Sequence, residues 1–260
     1  MIAVTSAQLD LWIASFIYPL TRILALAASA PLWSNAAMPR RTRLILGLAI
    51  AIGLSPALPP MPAVPPGSIA GLWIIAQQMM IGIGMGFAAR IVYAAVDLAA
   101  QFISFQMGLG FATFYDPLSA ANTPVLAEFF NLLALLVFLS LDGHLIYIAT
   151  LAQSFVIIPV SGTPFSVNSW RNLAELGGQL FASGLLLSLP VTIALIITNI
   201  AMGVLTRAAP QLNLFALGFP LTLMGGFIVI ALILNDLAMP IQAIFEAGLS
   251  AMQAFPLLSR

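Results

Sequence analysis

The sequence predicts an all-α integral membrane protein of long, broken helices and helical hairpins. Of its 260 residues, 62% are hydrophobic and only 6% are charged, and its mean hydropathy is +1.09. Soluble domains carry about 25% charged residues, so this chain lacks the polar surface that would cover a soluble globule. Its apolar residues also fall into runs long enough to cross a bilayer.

The charged and reactive residues exclude several functions. Arginines and acids balance and lysine is absent, so no basic face exists that could bind a nucleic acid. His144 is the one histidine and cysteine is missing, which excludes metal sites built from several histidines or from thiolates. No phosphate-binding loop or paired carboxylates occur. We therefore predict a protein that is not an enzyme and has no cofactor.

The first predicted span covers residues 11–30 and contains an arginine. Arg22 lies inside this apolar run, with Pro19 one turn before it. An arginine within a membrane faces protein or water and usually pairs with a carboxylate, which makes it a candidate for function. A purely structural ion pair is an equal alternative for Arg22.

Positive charge and proline mark the next connections. Arg40, Arg41 and Arg43 form the densest basic cluster, which the positive-inside rule places in the cytoplasm. Residues 44–58 are apolar but short for a full crossing. Six prolines between residues 56 and 66 then predict a stiff, extended connection on the outer side.

Residues 69–105 form an apolar run too long for one perpendicular helix, and Arg90 and Asp97 divide it. Gly82 and Gly86, four residues apart, predict a close approach of another helix. Arg90 falls on the cytoplasmic side, in agreement with the first basic cluster.

The stretch from Gln101 to Pro117 differs from its apolar surroundings. It contains the glycines Gly108 and Gly110 and also Gln106, Met107, Phe111, Phe114 and Asp116. It is too polar and too rich in glycine to face lipid, and too aromatic for a solvated linker. We expect it inside a protein assembly, where it lines or blocks a passage.

The second half of the chain predicts further spans. Residues 125–141 and 145–158 are separated by Asp142-Gly143-His144, which fits either a hairpin turn or a break in one long helix. Residues 177–205 contain Asn199, which can hydrogen-bond to a neighbouring helix. A short turn over residues 207–213 precedes the last span at 214–234. The charge bias predicts six spans with both termini outside.

Several motifs together resemble one family, that of the flagellar biosynthetic FliR proteins and their relatives in virulence type III secretion. The residues that carry the resemblance, in chain order, are Arg22, Pro31 and Pro39; Asp97, Gln101 and residues 106–117; residues 141–144, Ser154, Phe155 and Pro159; residues 189–191, Asn199, Gly203, residues 207–215 and residues 218–220. The resemblance covers nearly the whole chain. One departure is Gln78, where the family commonly has a glutamate.

The resemblance implies a subunit of the flagellar type III export gate in the bacterial inner membrane, within the flagellar basal body. Its partners would be the FliP and FliQ subunits, FlhB and FlhA, unfolded flagellar substrates and membrane lipid. Residues 1–170 would be FliP-like and residues 171–260 a FliQ-like helix pair with a tail. The loop near residues 106–123 would plug the channel; the alternative is that it only packs helices together. Arg207, Pro210, Gln211 and Asn213 would form a cytoplasmic turn that contacts FlhB, and a bare helical-hairpin turn is an equal alternative.

Two other functions stay open at this point. One is a virulence secretion gate, which the sequence separates from a flagellar gate only by its resemblance to the flagellar proteins. A small-solute secondary transporter is a further alternative, because its helices would also be broken by prolines.

Overall fold

The computed structural model describes residues 5–34, 38–110, 125–161, 168–209 and 214–257, and all regular structure in these ranges is helical. The predicted all-α fold class is confirmed. The α-helices are α1 (Ser6–Ser29), α2 (Pro31–Ser34), α3 (Arg40–Leu54), α4 (Ile69–Gln106), α5 (Val125–Ser140), α6 (Gly143–Ile157), α7 (Asn168–Ala208), α8 (Leu214–Ile233) and α9 (Ala238–Leu257). A 3₁₀ turn, Ser55–Ala57, follows α3.

The ends of α1 follow from local sequence. Thr5 caps the first turn through its hydroxyl, which accepts from the Gln8 backbone, while the Gln8 side chain accepts from the Thr5 backbone. This reciprocal capping box satisfies two backbone donors that a helix start leaves unpaired. The helix ends at Ala30, whose backbone is extended, as expected for the residue before a proline.

Helix α4 is one continuous helix of 38 residues. At 1.5 Å per residue it is about 57 Å long, well beyond the thickness of a hydrocarbon core. The charged residues Arg90 and Asp97 lie within it and do not interrupt it. The sequence prediction was right that residues 69–105 exceed one perpendicular crossing.

A break separates α5 from α6, which decides between the two alternatives for the Asp142 triplet. Leu141 and Asp142 form the turn, and Asp142 adopts a left-handed conformation with φ 52°. The Asp142 carbonyl oxygen accepts from the backbone of Leu145 and Ile146, so α6 begins immediately. The two helices form a bent pair and not a hairpin of adjacent antiparallel helices.

Within the described residues, three helices are long and apolar enough to cross a membrane, over Gln8–Ser29, Ile69–Gln106 and Ala174–Ala208. The pairs α5–α6 and α8–α9 each pass the same test together although bent at a short break, which would raise the number to 5. The prediction of six spans exceeds this number by one. The predicted span at residues 44–58 falls mainly on α3, whose 15 residues are too few for a full crossing.

The chain forms two compact units. The first comprises Met1–Ile91, Asp142–Gly177 and Glu246–Arg260, and the second comprises Val92–Leu141 and Gly178–Phe245. The predicted division into a FliP-like part (residues 1–170) and a FliQ-like part (residues 171–260) is a different kind of division, based on likeness to other subunits, and it stays a prediction.

In the first unit, the first part of α4 runs parallel to α1, and α6 runs antiparallel to α1. Side chains of Gln78 and Ser154 meet Arg22, and beyond the end of α1 the Trp33 ring of α2 packs edge-on against Tyr147 of α6. Arg22 thus lies where α1, α4 and α6 meet.

In the second unit, the rings of Tyr93, Phe138 and Phe245 pack together, with centroids 5.1 to 6.2 Å apart. Gly184 of α7 lies against the Ala95 backbone of α4, where a Cβ would be 3.2 Å from the Ala95 carbonyl carbon. This aromatic cluster forms the core of the second unit.

Candidate functional site

The most unusual polar site of the first unit is a fully buried arginine. Arg22 has no exposed surface, and its guanidinium makes three hydrogen bonds. Its Nε donates to Gln78 Oε1 at 2.8 Å, its Nη1 to Ser154 Oγ at 3.0 Å, and its Nη2 to the Ile158 carbonyl oxygen at 2.9 Å. These bonds join α1, α4 and the end of α6.

The charge of Arg22 is balanced without a carboxylate. All three acceptors are neutral, and its Cζ lies 4.1 Å from the centroid of the Phe155 ring, where the ring face attracts a cation. Within the described ranges no acidic side chain forms an ion pair with Arg22, whereas Arg171 pairs with Glu175 on the surface of α7. The expected carboxylate partner of Arg22 is therefore absent from the described part of the chain, because Gln78 occupies its place.

Ser154 is oriented for this role by its own backbone. Its hydroxyl donates to the Leu151 carbonyl oxygen at 2.7 Å, which leaves the oxygen lone pairs for Arg22. A hydroxyl that donates to the preceding turn of its own helix is a common arrangement for serine in helices. The arginine therefore meets an acceptor that is fixed in advance.

Gly82 and Gly86 lie on the face of α4 that packs against α1, next to this polar cluster. A Cβ on Gly82 would meet the Arg22 carbonyl oxygen and would lie 2.7 Å from Ala25 Cβ. A Cβ on Gly86 would meet the Ser29 hydroxyl and would lie 2.9 Å from the Ala30 nitrogen. The missing side chains let the two helices approach closely enough for Gln78 to reach Arg22.

The second unit has its own polar group around Asp97. Its carboxylate accepts from Gln101 Nε2 at 2.6 Å and from Asn131 Nδ2 at 3.3 Å, so α4 and α5 are joined here. Asn199 lies on an exposed part of α7, and its side chain makes no hydrogen bond within the described ranges. The structure thus brings Asp97 and Gln101 together and leaves Asn199 apart from them.

Helix α4 ends in a defined cap where the proposed plug begins. Gly108 has φ 82°, its backbone nitrogen donates to the Phe105 carbonyl oxygen, and the Leu109 nitrogen donates to that of Ser104. This pair of bonds around a left-handed glycine is the Schellman motif. Gly108 therefore terminates the helix immediately after Gln106 and Met107.

Met107 fixes this helix end to α8. Its side chain is fully buried and fits over Gly226, where a Cβ would lie 2.6 Å from Met107 Cγ. The Met107 carbonyl oxygen accepts from Thr222 Oγ1 at 3.2 Å. Gly110 is the last described residue of this segment. The predicted plug residues Phe111, Phe114, Asp116 and Pro117 lie outside the described residues.

The predicted partner turn lies mostly beyond what the structure describes. Arg207 is exposed in the last turn of α7, where a cation interacts favourably with the helix dipole. Pro210, Gln211 and Asn213 fall outside the described residues. No group of His, Cys, Asp and Glu that could hold a metal ion occurs in the described part of the chain.

Sequence reasoning did not find the residues that complete these two sites. Gln78 and Ser154 are 56 and 132 residues from Arg22, and nothing local to either residue points to an arginine. The signal available in the sequence was the resemblance itself, which singled out four residues separately: Arg22, Gln78, Ser154 and Phe155. Thr222 carried no signal.

The chain is similar to bacterial export proteins over most of its length. Residues 13–248 match the family described as "Bacterial export proteins, family 1". The flagellar biosynthetic protein FliR of Pectobacterium carotovorum is 41% identical over 234 residues, which is 90% of this chain and 89% of that protein. FliR of Escherichia coli is 41% identical over 239 residues, which is 92% of this chain and 91% of that protein. FliR of Bacillus subtilis is 28% identical over 180 residues, which is 68% of this chain and 70% of that protein.

Proposed function

Because the chain belongs to family 1 of the bacterial export proteins, we propose that it is a subunit of the flagellar type III export gate. The observation that carries this proposal is the likeness to flagellar FliR proteins across about nine-tenths of both chains. Because these relatives are flagellar proteins, they favour the flagellar gate over a virulence secretion gate or a small-solute transporter. Its role would be to form part of the channel through which unfolded flagellar proteins leave the cytoplasm.

The membrane and partners of this gate are part of the proposal. The chain would lie in the bacterial inner membrane at the flagellar basal body, assembled with FliP and FliQ and close to FlhB and FlhA. Helices α7 and α8 are consistent with a place in a membrane or an assembly, because they expose large apolar side chains such as Ile197, Val204, Met224 and Leu232. Such surfaces need lipid or protein to cover them.

The stretch from Gln106 to Pro117 would act as the channel plug. Its support in the described residues is the anchored start of the segment, where Met107 is held by Thr222 and Gly108 ends the helix. A plug must begin at a fixed point if it is to return to the same place after each substrate passes. Phe111 and Phe114 would supply apolar bulk that excludes water and ions.

The turn that begins at Arg207 would contact a cytoplasmic partner such as FlhB. Its support is the exposed arginine at the end of α7. The chain has no cysteine, so Gln211→Cys introduces a single site for crosslinking in cells. Crosslinks to an export-apparatus protein would support the contact, and their consistent absence with a reactive, accessible cysteine would exclude it.

Export of flagellin tests the proposed function in the bacterium that encodes the chain. Deleting the gene should abolish flagellin secretion into the medium while flagellin still accumulates inside the cell, and a plasmid copy should restore secretion. Normal secretion without the chain would refute the proposal. Loss of flagellin synthesis alone is separated from loss of export by measuring the protein inside the cells.

A further inference from the structure

Three arginines of the first unit, Arg40, Arg41 and Arg43, lie together at one end of it. Arg43 Nε donates to the Trp33 carbonyl oxygen at 2.8 Å, and α3 then runs back along α1, so that Gly47 lies against the Leu24 side chain. Arg40 and Arg41 precede Arg43 and are exposed. The start of α3 therefore carries three positive charges beside Trp33.

A second helix brings a fourth arginine to this end. Gly82 of α4 lies against Ala25, and Gly86 against Ala30, so α4 runs parallel to α1 toward Trp33. Arg90 follows Gly86 by one turn and is exposed. Between Ile69 and Arg90 the helix rises about 31 Å, which matches the hydrocarbon thickness of a bilayer. This basic end, with Arg40, Arg41, Arg43 and Arg90, would lie at the level of the lipid headgroups if this part of α4 crosses a bilayer.

Apart from the hydrogen bond of Arg43 to Trp33, these positive charges have no partner in the described part of the chain. No acidic side chain forms an ion pair with Arg40, Arg41 or Arg90 there, and α3 has no acid in its first turn. Asp142 and His144 face the same end from α6, since Tyr147 contacts Trp33, yet Asp142 is exposed and makes no ion pair. Cations in the first turn of a helix also oppose its dipole, so an anion is favoured here.

An apolar stripe runs from the arginines along the exposed face of α3. Arg41, Leu44, Ile45, Leu48 and Ile52 recur at three- and four-residue spacing, which puts them on one side of a helix. Ile45 is 67% exposed and Ile52 65%, whereas Gly47 and Ala51 on the opposite side are buried. With 15 residues, α3 is too short to cross a bilayer. The stripe is about half as long as the hydrocarbon core of a bilayer is thick.

We propose that the basic end of the first unit and the stripe on α3 form a binding site for an anionic phospholipid. Arg40 and Arg41, with Arg90 at the same end, bind the phosphate of the headgroup, and the acyl chains lie along Leu44, Ile45, Leu48 and Ile52. Arginine suits this role because its fork of donors binds phosphate oxygens in pairs. A free phosphate would use the arginines but not the apolar stripe.

The test is lipid retention by the tagged full-length chain, together with any subunits that purify with it, in nanodiscs of phosphatidylcholine that contain a minor fraction of phosphatidylglycerol. We expect enrichment of phosphatidylglycerol beside the protein, quantified by native mass spectrometry after release. Arg41→Ala should weaken retention about fivefold, and Arg40→Ala with Arg41→Ala by more, since each basic residue near an anionic surface contributes about this factor. Arg171→Ala is the control, because it removes another exposed arginine, one that pairs with Glu175.

Three results would overturn the proposal. These are equal retention of both lipids by the unaltered chain, retention by the double variant equal to that of the Arg171→Ala control, and displacement of the lipid by glycerophosphoglycerol at equal concentration. The last would show that the arginines bind free phosphate esters without the acyl chains. Because binding is measured without export, failure here leaves the proposed gate function untouched, and loss of that function leaves this site untouched.

Discussion

The Arg22 guanidinium and the Gln78 side chain form a hydrogen bond of 2.8 Å between α1 and α4, and both side chains are buried. A neutral amide therefore occupies the place where an intramembrane arginine would usually meet a carboxylate. The remaining stabilisation comes from Ser154, the Ile158 carbonyl oxygen and the Phe155 ring. This cluster connects the helices of the first unit.

Replacing Gln78 tests how much this bond contributes. Gln78→Ala leaves a buried guanidinium donor unpaired, so we expect the free energy of unfolding to fall by about 1.5–3 kcal/mol. Gln78→Glu supplies a carboxylate beside Arg22 and should unfold at the same temperature or higher. Thermal unfolding in detergent of the tagged chain, together with any subunits that purify with it, measures both. An unchanged midpoint for Gln78→Ala would contradict the role assigned to the pair.

The contact of α4 with α1 predicts a difference between two glycines. Gly86→Val would drive its side chain into Ser29 and Ala30, and we expect destabilisation by about 1–3 kcal/mol. Gly53→Ala is the control, because nothing lies within 4 Å of its Cβ position and alanine favours a helix. If both variants unfold like the parent protein, the helices are not as close as described.

The cap of α4 predicts sensitivity at Gly108. Its φ of 82° disfavours any residue with a side chain, so Gly108→Ala should cost about 1–2 kcal/mol. Gly203→Ala, a helical glycine with open space around its Cβ position, should be neutral or stabilising. Equal unfolding temperatures for the two variants would show that the helix end does not need this conformation.

Much of the helical architecture could be predicted from the sequence, because apolar runs and caps are local features. The run at residues 11–30 corresponds to α1, and the paired glycines of α4 indicated a close helix approach. The triplet at Asp142 left two alternatives open, since its left-handed backbone depends on how α5 and α6 are oriented by the rest of the fold.

The partners of the predicted site residues could not be derived in the same way. Arg22 was a candidate because it is a charged residue within an apolar run. Its acceptors, however, come from distant helices, and one is the backbone oxygen of Ile158. Physical expectation favoured a carboxylate, and the sequence offers none that reaches it in the described residues. Met107 similarly showed no sign that Thr222 and Gly226 would hold it.

The plug proposal predicts a leak when the segment is removed. Deleting residues 110–116 leaves the Met107 anchor and the Gly108 cap in place, so the complex should still assemble. Its conductance to small ions in planar bilayers should rise, because the apolar side chains of Phe111 and Phe114 are lost. Unchanged conductance in an assembled complex would remove the plug assignment.

The most direct test of the central claim is the composition of the complex that purifies with this chain. With an affinity tag on the chain expressed from its own locus, mass spectrometry should find FliP and FliQ subunits in a fixed ratio to it. A transporter would be stable alone. Purification of the chain as a stable, homogeneous protein without any export-apparatus subunit would contradict the assignment as an export-gate subunit.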